Sequence, residues 1–233
     1  MIIAIIPARG GSKRIPRKNI KLFAGQPIIA WSIFAALESK CFDKVIVSTD
    51  DPEVASISRR IGAEIPFIRP ATLSDDYTGT IPVVAHAITE LQQCFSVTAA
   101  CCIYATAPLI QSDDIRRGFD LLQKSHCDYA FSVTSYEFPI QRALRVTAQN
   151  RIEMFDPQHC DTRSQDLEGA WHDAGQFYWG RTSAWLEARS IFSNRSVPVM
   201  IPRTRAQDID TPEDWDHAEW LFQMQRAIGN AHR

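Results

Sequence analysis

The chain has no apolar run near the roughly 18 to 20 residues that a membrane helix needs, so no membrane partner is expected. Nor has it an excess of one charge: 25 Lys plus Arg stand against 27 Asp plus Glu, a formal charge of −2. A nucleic-acid partner would call for a basic surplus, so none is expected, and any anion site must be local. The start, Met1 to Arg9, lacks a basic segment and a cleavage site, which places the protein in the cytoplasm as an expectation.

Six cysteines show no C-x-x-C spacing, and Cys101 and Cys102 are adjacent in an apolar run where a mutual disulfide would be strained. They are read as reduced core thiols, and the six scattered His suggest no zinc set. Glycine is sparse, with ten residues, and matches neither G-x-x-x-x-G-K-[ST] nor G-x-G-x-x-G. A P-loop ATPase and a dinucleotide-binding fold both lose support.

What is present is enough apolar material for one large core: 45% hydrophobic residues in 233, with six Trp and twelve Phe. Ile2 to Ile6, Lys44 to Thr49, Ala99 to Tyr104 and Tyr129 to Thr134 read as buried strands. Between them, helices are expected over Pro27 to Leu37, Pro52 to Ile61, Ile81 to Gln92 and Asp113 to Lys124. This alternation predicts an α/β fold with a doubly wound, mostly parallel, Rossmann-like sheet. Past Ser135, the pieces Arg142 to Val146 and Arg151 to Phe155 flank Gln149-Asn150 as a hairpin. The chain then returns through Phe177 to Trp179, a helix near Thr182 to Ala188, a strand at Val197 to Ile201 and a last helix from Pro212 to about Ile228. One domain over 1–233 is expected, with 138–175 a β-rich arm suited to dimerisation.

The stretch after the first strand, Arg9-Gly10-Gly11-Ser12-Lys13-Arg14-Ile15-Pro16-Arg17-Lys18-Asn19, holds five cations. In open α/β sheets ligands sit beyond the carboxyl ends of the strands, where paired glycines bring backbone N–H groups close to an anion. A polyphosphate fits, against the plainer reading of a solvated basic turn. Near the other end, Asp208-Ile209-Asp210-Thr211-Pro212-Glu213-Asp214-Trp215-Asp216 holds five acids in nine residues. Asp208 and Asp210, at i and i+2 in extended chain, point to one side as a shared Mg²⁺ requires. Glu213 and Asp214 read as first-turn helix acids behind a Thr211 cap. Asp50-Asp51 closes the second strand, and Asp51 before Pro52 reads as a helix N-cap, so the pair is left out of the site. A triphosphate loop with a paired-carboxylate site suits phosphoryl chemistry, with direct attack by a substrate hydroxyl on a nucleotide α-phosphate.

Ile3 to Asn19, Val47-Ser-Thr-Asp-Asp51, Phe67-Ile-Arg-Pro70 and Asp208-Ile-Asp-Thr211 together resemble the CMP-sialic acid synthetase type of cytidylyltransferase. Leu73 to Thr78, Tyr104 to Pro108 and above all His172 to Trp179 are most similar to its pseudaminic acid branch. The resemblance implies that CTP and a free nonulosonic acid yield a CMP-sugar and diphosphate, with Mg²⁺, in a homodimer whose arm reaches the neighbour's site. It further implies that Arg9, Ser12 and Lys13, with the backbone at Ala8 and Gly11, hold the triphosphate. Lys18 would stabilise the charged α-phosphate and Asn19 would contact the nucleotide, while Arg69 and Thr78 help read cytosine and ribose. Asp208 and Asp210 would hold the metal, which would lower the pKa of the sugar's anomeric hydroxyl or of a water that takes its proton.

For the sugar the implied residues are Tyr104, Thr106, Arg163, His172, Asp173 and Gln176, each against a plainer reading as a solvated, interface or turn residue. Tyr104-Ala105-Thr106-Ala107-Pro108 and Ala174-Gly175-Gln176 depart from the Gln-Pro-Thr-Ser-Pro and Asn-Gly-Ala of sialic acid members, which favours pseudaminate. CMP-N-acetylneuraminate or CMP-legionaminate synthesis, and an inactive nucleotide-binding protein, are the alternatives. Tyr178 and Trp179 read as core or interface aromatics.

Overall fold

A computed structural model describes residues 1–231. In chain order it contains β1 (Ile2–Pro7), β2 (Leu22–Phe23), β3 (Gln26–Pro27), α1 (Ile28–Ser39), β4 (Lys44–Ser48), α2 (Pro52–Ile61), α3 (Thr80–Gln92) and β5 (Ala99–Ile103). There follow α4 (Ser112–Lys124), β6 (Tyr129–Ser135), β7 (Leu144–Val146), β8 (Ile152–Met154), β9 (Trp171–Arg181), α5 (Thr182–Leu186), β10 (Ser196–Met200) and α6 (Pro212–Ala231). Six strands form one sheet in the order β10-β6-β9-β5-β1-β4. The pairs β1–β4, β1–β5 and β10–β6 are parallel, and β9 alone is antiparallel to its neighbours.

The apolar runs are continuous because both faces are covered. In β1, Ala4 and Ile6 join α1, α2 and α4 on one face, while Ile3 and Ile5 meet α3 and α5 on the other. All four are fully buried. α2 starts where Asp51 accepts from the Glu53 and Val54 N–H groups, as its position before Pro52 predicts. α6 starts with a reciprocal cap: Thr211 Oγ1 accepts from Asp214 N, and Asp214 Oδ2 accepts from Thr211 N. Its apolar face, Trp215, Ala218 and Phe222, packs with Phe23, Ile28 and Ile209 in a third cluster.

Two sequence expectations change. The expected return over Phe177 to Trp179 is an eleven-residue strand. Residues 171–173 pair with Ser135, Thr134 and Val133 past a register shift in β6, so polar residues that read as loop are strand. β9 runs antiparallel because the arm hands the chain from the carboxyl end of β6 straight back into the sheet, with no crossover helix. The hairpin forms as expected, pairing Leu144 with Met154 and Val146 with Ile152. All six thiols are free, but only Cys101, Cys102 and Cys127 are core; Cys94, just past α3, and Cys160, on the arm, are exposed. Tyr178 and Trp179 are core: Trp179 donates to Ile115 O at 2.9 Å and stacks on Phe42. Among the described residues no helix is long and apolar enough to cross a membrane.

Candidate functional site

At the carboxyl ends of β1 and β5 lies a cavity of about 600 Å³. Pro7 ends β1, and the chain leaves the sheet as the five-cation loop, held by Ala8 N donating to Ser48 O and Asn19 Nδ2 donating to Arg9 O. Of the expected nucleotide residues, Arg9, Ser12, Lys13, Lys18, Asn19, Arg69 and Thr78 line this cavity, together with Tyr104 and Thr106 from beyond β5. Ala8 is buried behind the lining, and Gly11 faces open space.

The cations do not stand free. Arg9 and Lys13 share the Asp76 carboxylate, at 2.7 and 2.5 Å, and Arg9 also donates to Asp75 O. Hydrogen bonds from Lys13 and Arg9 hold Asp76 below the usual carboxylate range, and those from Thr78 and Tyr77 do the same for Asp75. Arg14 pairs with Asp210 at 2.9 Å, and Lys18 lies 3.4 Å from the same carboxylate while donating to Ile209 O at 2.6 Å. Arg69 is only 4% exposed; its Nε donates to Ser74 Oγ, while Nη2 is buried without a hydrogen-bond partner. Burial lowers its pKa, and neighbouring Arg9 acts in the same sense. A buried guanidinium with an unpaired N–H facing a cavity has donors for an acceptor on a ligand.

Asp208 and Asp210 flank Ile209, which is fully buried against α6, and the two carboxylates lie close enough for the Asp210 charge to act on Asp208. Asp208 keeps an exposed face yet lies beside the Gly175 backbone. Desolvation, then the Asp210 charge, raises its pKa, and Lys18 opposes them. Two crowded carboxylates of which one is raised by the other fit a divalent cation, which would relieve that repulsion. Among the described residues no three His, Cys, Asp or Glu gather, so such an ion would complete its shell with substrate oxygens and water.

The expected sugar residues divide. Tyr104 lines the cavity, and its hydroxyl lies 2.9 Å from Thr80 Oγ1. Thr106 lines it too. Asp173, His172, Gln176 and Arg163 lie outside that lining. Asp173 accepts from Tyr178 Oη at 2.5 Å and from Gly175 N at 2.9 Å. Gln176 is buried and donates to Arg205 O, leaving its Oε1 without a partner. His172 Nδ1 lies 2.8 Å from Asp173 O, and its ring tilts against Tyr136. Arg163 projects from the arm and pairs locally with Asp166.

Arg14, Asp75, Asp76 and Thr80 line the cavity without having been singled out. The run Ser74-Asp-Asp-Tyr-Thr78 offered a signal, since two acids bound for a cluster of cations are a natural ion-pair partner, but nothing local placed it over the loop. The two segments are more than sixty residues apart in sequence.

The family model described as Cytidylyltransferase matches residues 3–230. Similar proteins include the pseudaminic acid cytidylyltransferase of Campylobacter jejuni, 44% identical over 95% of this chain and 96% of that protein. The CMP-N,N'-diacetyllegionaminic acid synthase of Legionella pneumophila is 30% identical over 96% of this chain and 97% of its own. Among solved structures, a CMP:2-keto-3-deoxy-manno-octonic acid synthetase complexed with CTP has the same fold. Its TM-score is 0.71 at 15% identity, over 96% of this chain and 99% of that one.

Proposed function

The chain belongs to the cytidylyltransferase family, and from that premise we propose that it converts CTP and pseudaminate to CMP-pseudaminate and diphosphate. The observation that carries the reading is one cavity in which five nucleotide-directed cations and amides meet Tyr104 and Thr106. The similarity to pseudaminic acid cytidylyltransferases extends over nearly the whole of both chains.

In this reading Arg9, Lys13 and the loop N–H groups take the β- and γ-phosphates, exchanging the Asp76 carboxylate for phosphate oxygens. Lys18, its ammonium oriented by Ile209 O and Asp210, faces the α-phosphate and stabilises charge building there. The sugar's anomeric oxygen bonds to the α-phosphorus, the bond to the β-phosphate oxygen breaks, diphosphate leaves and the hydroxyl proton is released. Asp208 and Asp210 would hold Mg²⁺, which neutralises phosphate charge when bound. Buried Arg69, with Thr78, takes the base and ribose end, and Tyr104 and Thr106 face the sugar. Asp173, Gln176, His172 and Arg163 lie outside this lining and are kept on the sugar side by the resemblance alone.

The whole chain acts as one catalytic unit that pairs through the arm of residues 138–175. Phe138, Leu144, Val146, Ile152 and Phe155 are each more than half exposed there, an apolar set that a second copy would cover. The reaction belongs in the cytoplasm, where its nucleotide substrate is held.

Diphosphate release from CTP and Mg²⁺, with pseudaminate, legionaminate and N-acetylneuraminate compared at equal concentration, tests the reading. Preference for pseudaminate is expected. Preference for another of the three moves the assignment of the sugar, and no release with any of them sinks the proposal.

A further inference from the structure

The acidic pair closing β4 had a simple explanation in Asp51 as the cap of α2, but its two carboxylates also reach both ends of the cationic loop. Asp51 holds Arg17 through both oxygens, at 2.5 and 3.0 Å, and this bond to Arg17 keeps its carboxyl near a pKa of about 2. Arg17 stands in the left-handed backbone region at φ 56°, a conformation whose intrinsic cost this ion pair helps to offset.

Asp50 holds the other end. Its Oδ1 accepts from Gly10 N at 3.1 Å and lies 3.8 Å from Arg69 Nη2, the buried nitrogen that has no hydrogen-bond partner. Gly10 is seated on this acidic pair so closely that a Cβ there would come within 2.5 Å of Asp51 Oδ2. Arg69 is tied to the same strand end by its N–H, which donates to Thr49 O at 2.9 Å. Loop and buried guanidinium therefore meet at one carboxylate.

We propose that Asp50 is a positioning residue for the nucleotide site, setting the Gly10 end of the cationic loop and the guanidinium of Arg69 relative to each other. The proposal rests on the cytidylyltransferase reading for its consequence on CTP. Asp50 itself does not line the cavity and acts through these two partners. Without it, Gly10 N–H loses its acceptor, and Arg69 loses the nearest negative charge that offsets its burial.

The test compares the parent with Asp50→Ala and Asp50→Asn, the latter keeping an oxygen for Gly10 N–H while losing the charge opposite Arg69. Steady-state kinetics would give KM for CTP and for the sugar separately. Hydrogen exchange of the ligand-free protein would report on residues 9–19 against helix α1. For Asp50→Ala the expected result is a rise in KM for CTP of about tenfold, with the sugar KM within about twofold and faster exchange confined to the loop. Asp50→Asn should restore loop protection and fall between parent and Ala in KM for CTP. An unchanged KM for CTP, an equal rise in both KM values, or unchanged loop exchange overturns the proposal. If the parent does not use CTP at all, the functional reading falls, and loop exchange alone then decides whether Asp50 positions the loop.

Discussion

The loop of residues 9–19 and the segment of residues 138–170, before β9 re-enters the sheet, leave the same edge of the sheet, from the carboxyl ends of the parallel strands β1 and β6, and are held in opposite ways. Each loop cation is paired with a carboxylate distant in sequence: Arg9 and Lys13 with Asp76, Arg14 and Lys18 with Asp210, Arg17 with Asp51 and Glu53. The arm's salt bridges, Arg145–Glu153 and Arg163–Asp166, stay within the arm, and its apolar side chains face outward. A segment cross-tied to three other parts of the fold has its shape decided by this chain. A segment whose salt bridges all stay within it, with apolar side chains outward, presents surface that a second copy could cover. The cationic side of the cavity is therefore legible in one chain, and the side proposed for the sugar only in part.

The largest break in this comparison would come from Lys18→Ala. In the proposed reaction Lys18 faces the reacting phosphorus, so losing this oriented cation should lower turnover about 10² to 10³-fold in a diphosphate-release assay. A change under threefold would remove Lys18 from the chemistry and leave it a strut between loop and acidic pair.

Next is the platform both segments share. Gly180 on β9 lies so close to Trp185 and Tyr129 that a Cβ would stand 2.4 Å from Trp185 Nε1. Gly180→Ala should cost about 1–3 kcal/mol, read as a lower urea midpoint, because rigid rings cannot yield as a flexible chain end would. An unchanged midpoint would show that the packing there relaxes freely.

The arm is sharpened by Phe138→Asp. A charge on a residue 75% exposed should change the unfolding free energy of the monomer by no more than about 0.5 kcal/mol. The same change should shift the protein toward monomer in light scattering after gel filtration. A dimer that survives it would place the interface elsewhere.

Acid titration should separate the loop's tie to Asp51 from the rest. Asp51 is depressed to about 2 in the folded protein against roughly 3.9 unfolded, so its contribution is present above the unfolded value. That contribution is lost as pH falls from about 4 to 2. Arg17→Met should flatten the fall of stability in this window, by the smallest effect of the four, since Arg17 is 40% exposed and solvent screens the pair. An identical acid slope in both proteins would mean that the pair is screened out.

Particular residues mark how far the sequence could be read. β1, β4, β5 and β6 were visible as apolar runs because strands buried on both faces need no alternation. The Asp51 and Thr211 caps followed from spacing, since each depends on contacts within four residues. Residues 171–176 were not legible as strand. Their polarity reads as loop until β6 is alongside, and a register shift in that neighbour has no mark in β9 itself.

The sequence by itself determined the layered α/β frame, the cationic loop beyond the first strand and the paired carboxylates near the last helix, because these arise from local periodicity, caps and turn chemistry. Only the tertiary structure decided which carboxylate each loop cation meets, that Asp50 bridges Gly10 and Arg69, that Gln176 is buried, and that Arg163 and His172 lie away from the cavity. Those outcomes depend on segments far apart in the chain meeting across the edge of the sheet. Charge and hydrogen-bonding capacity are written in the residues, but the distance over which they act is set by the fold.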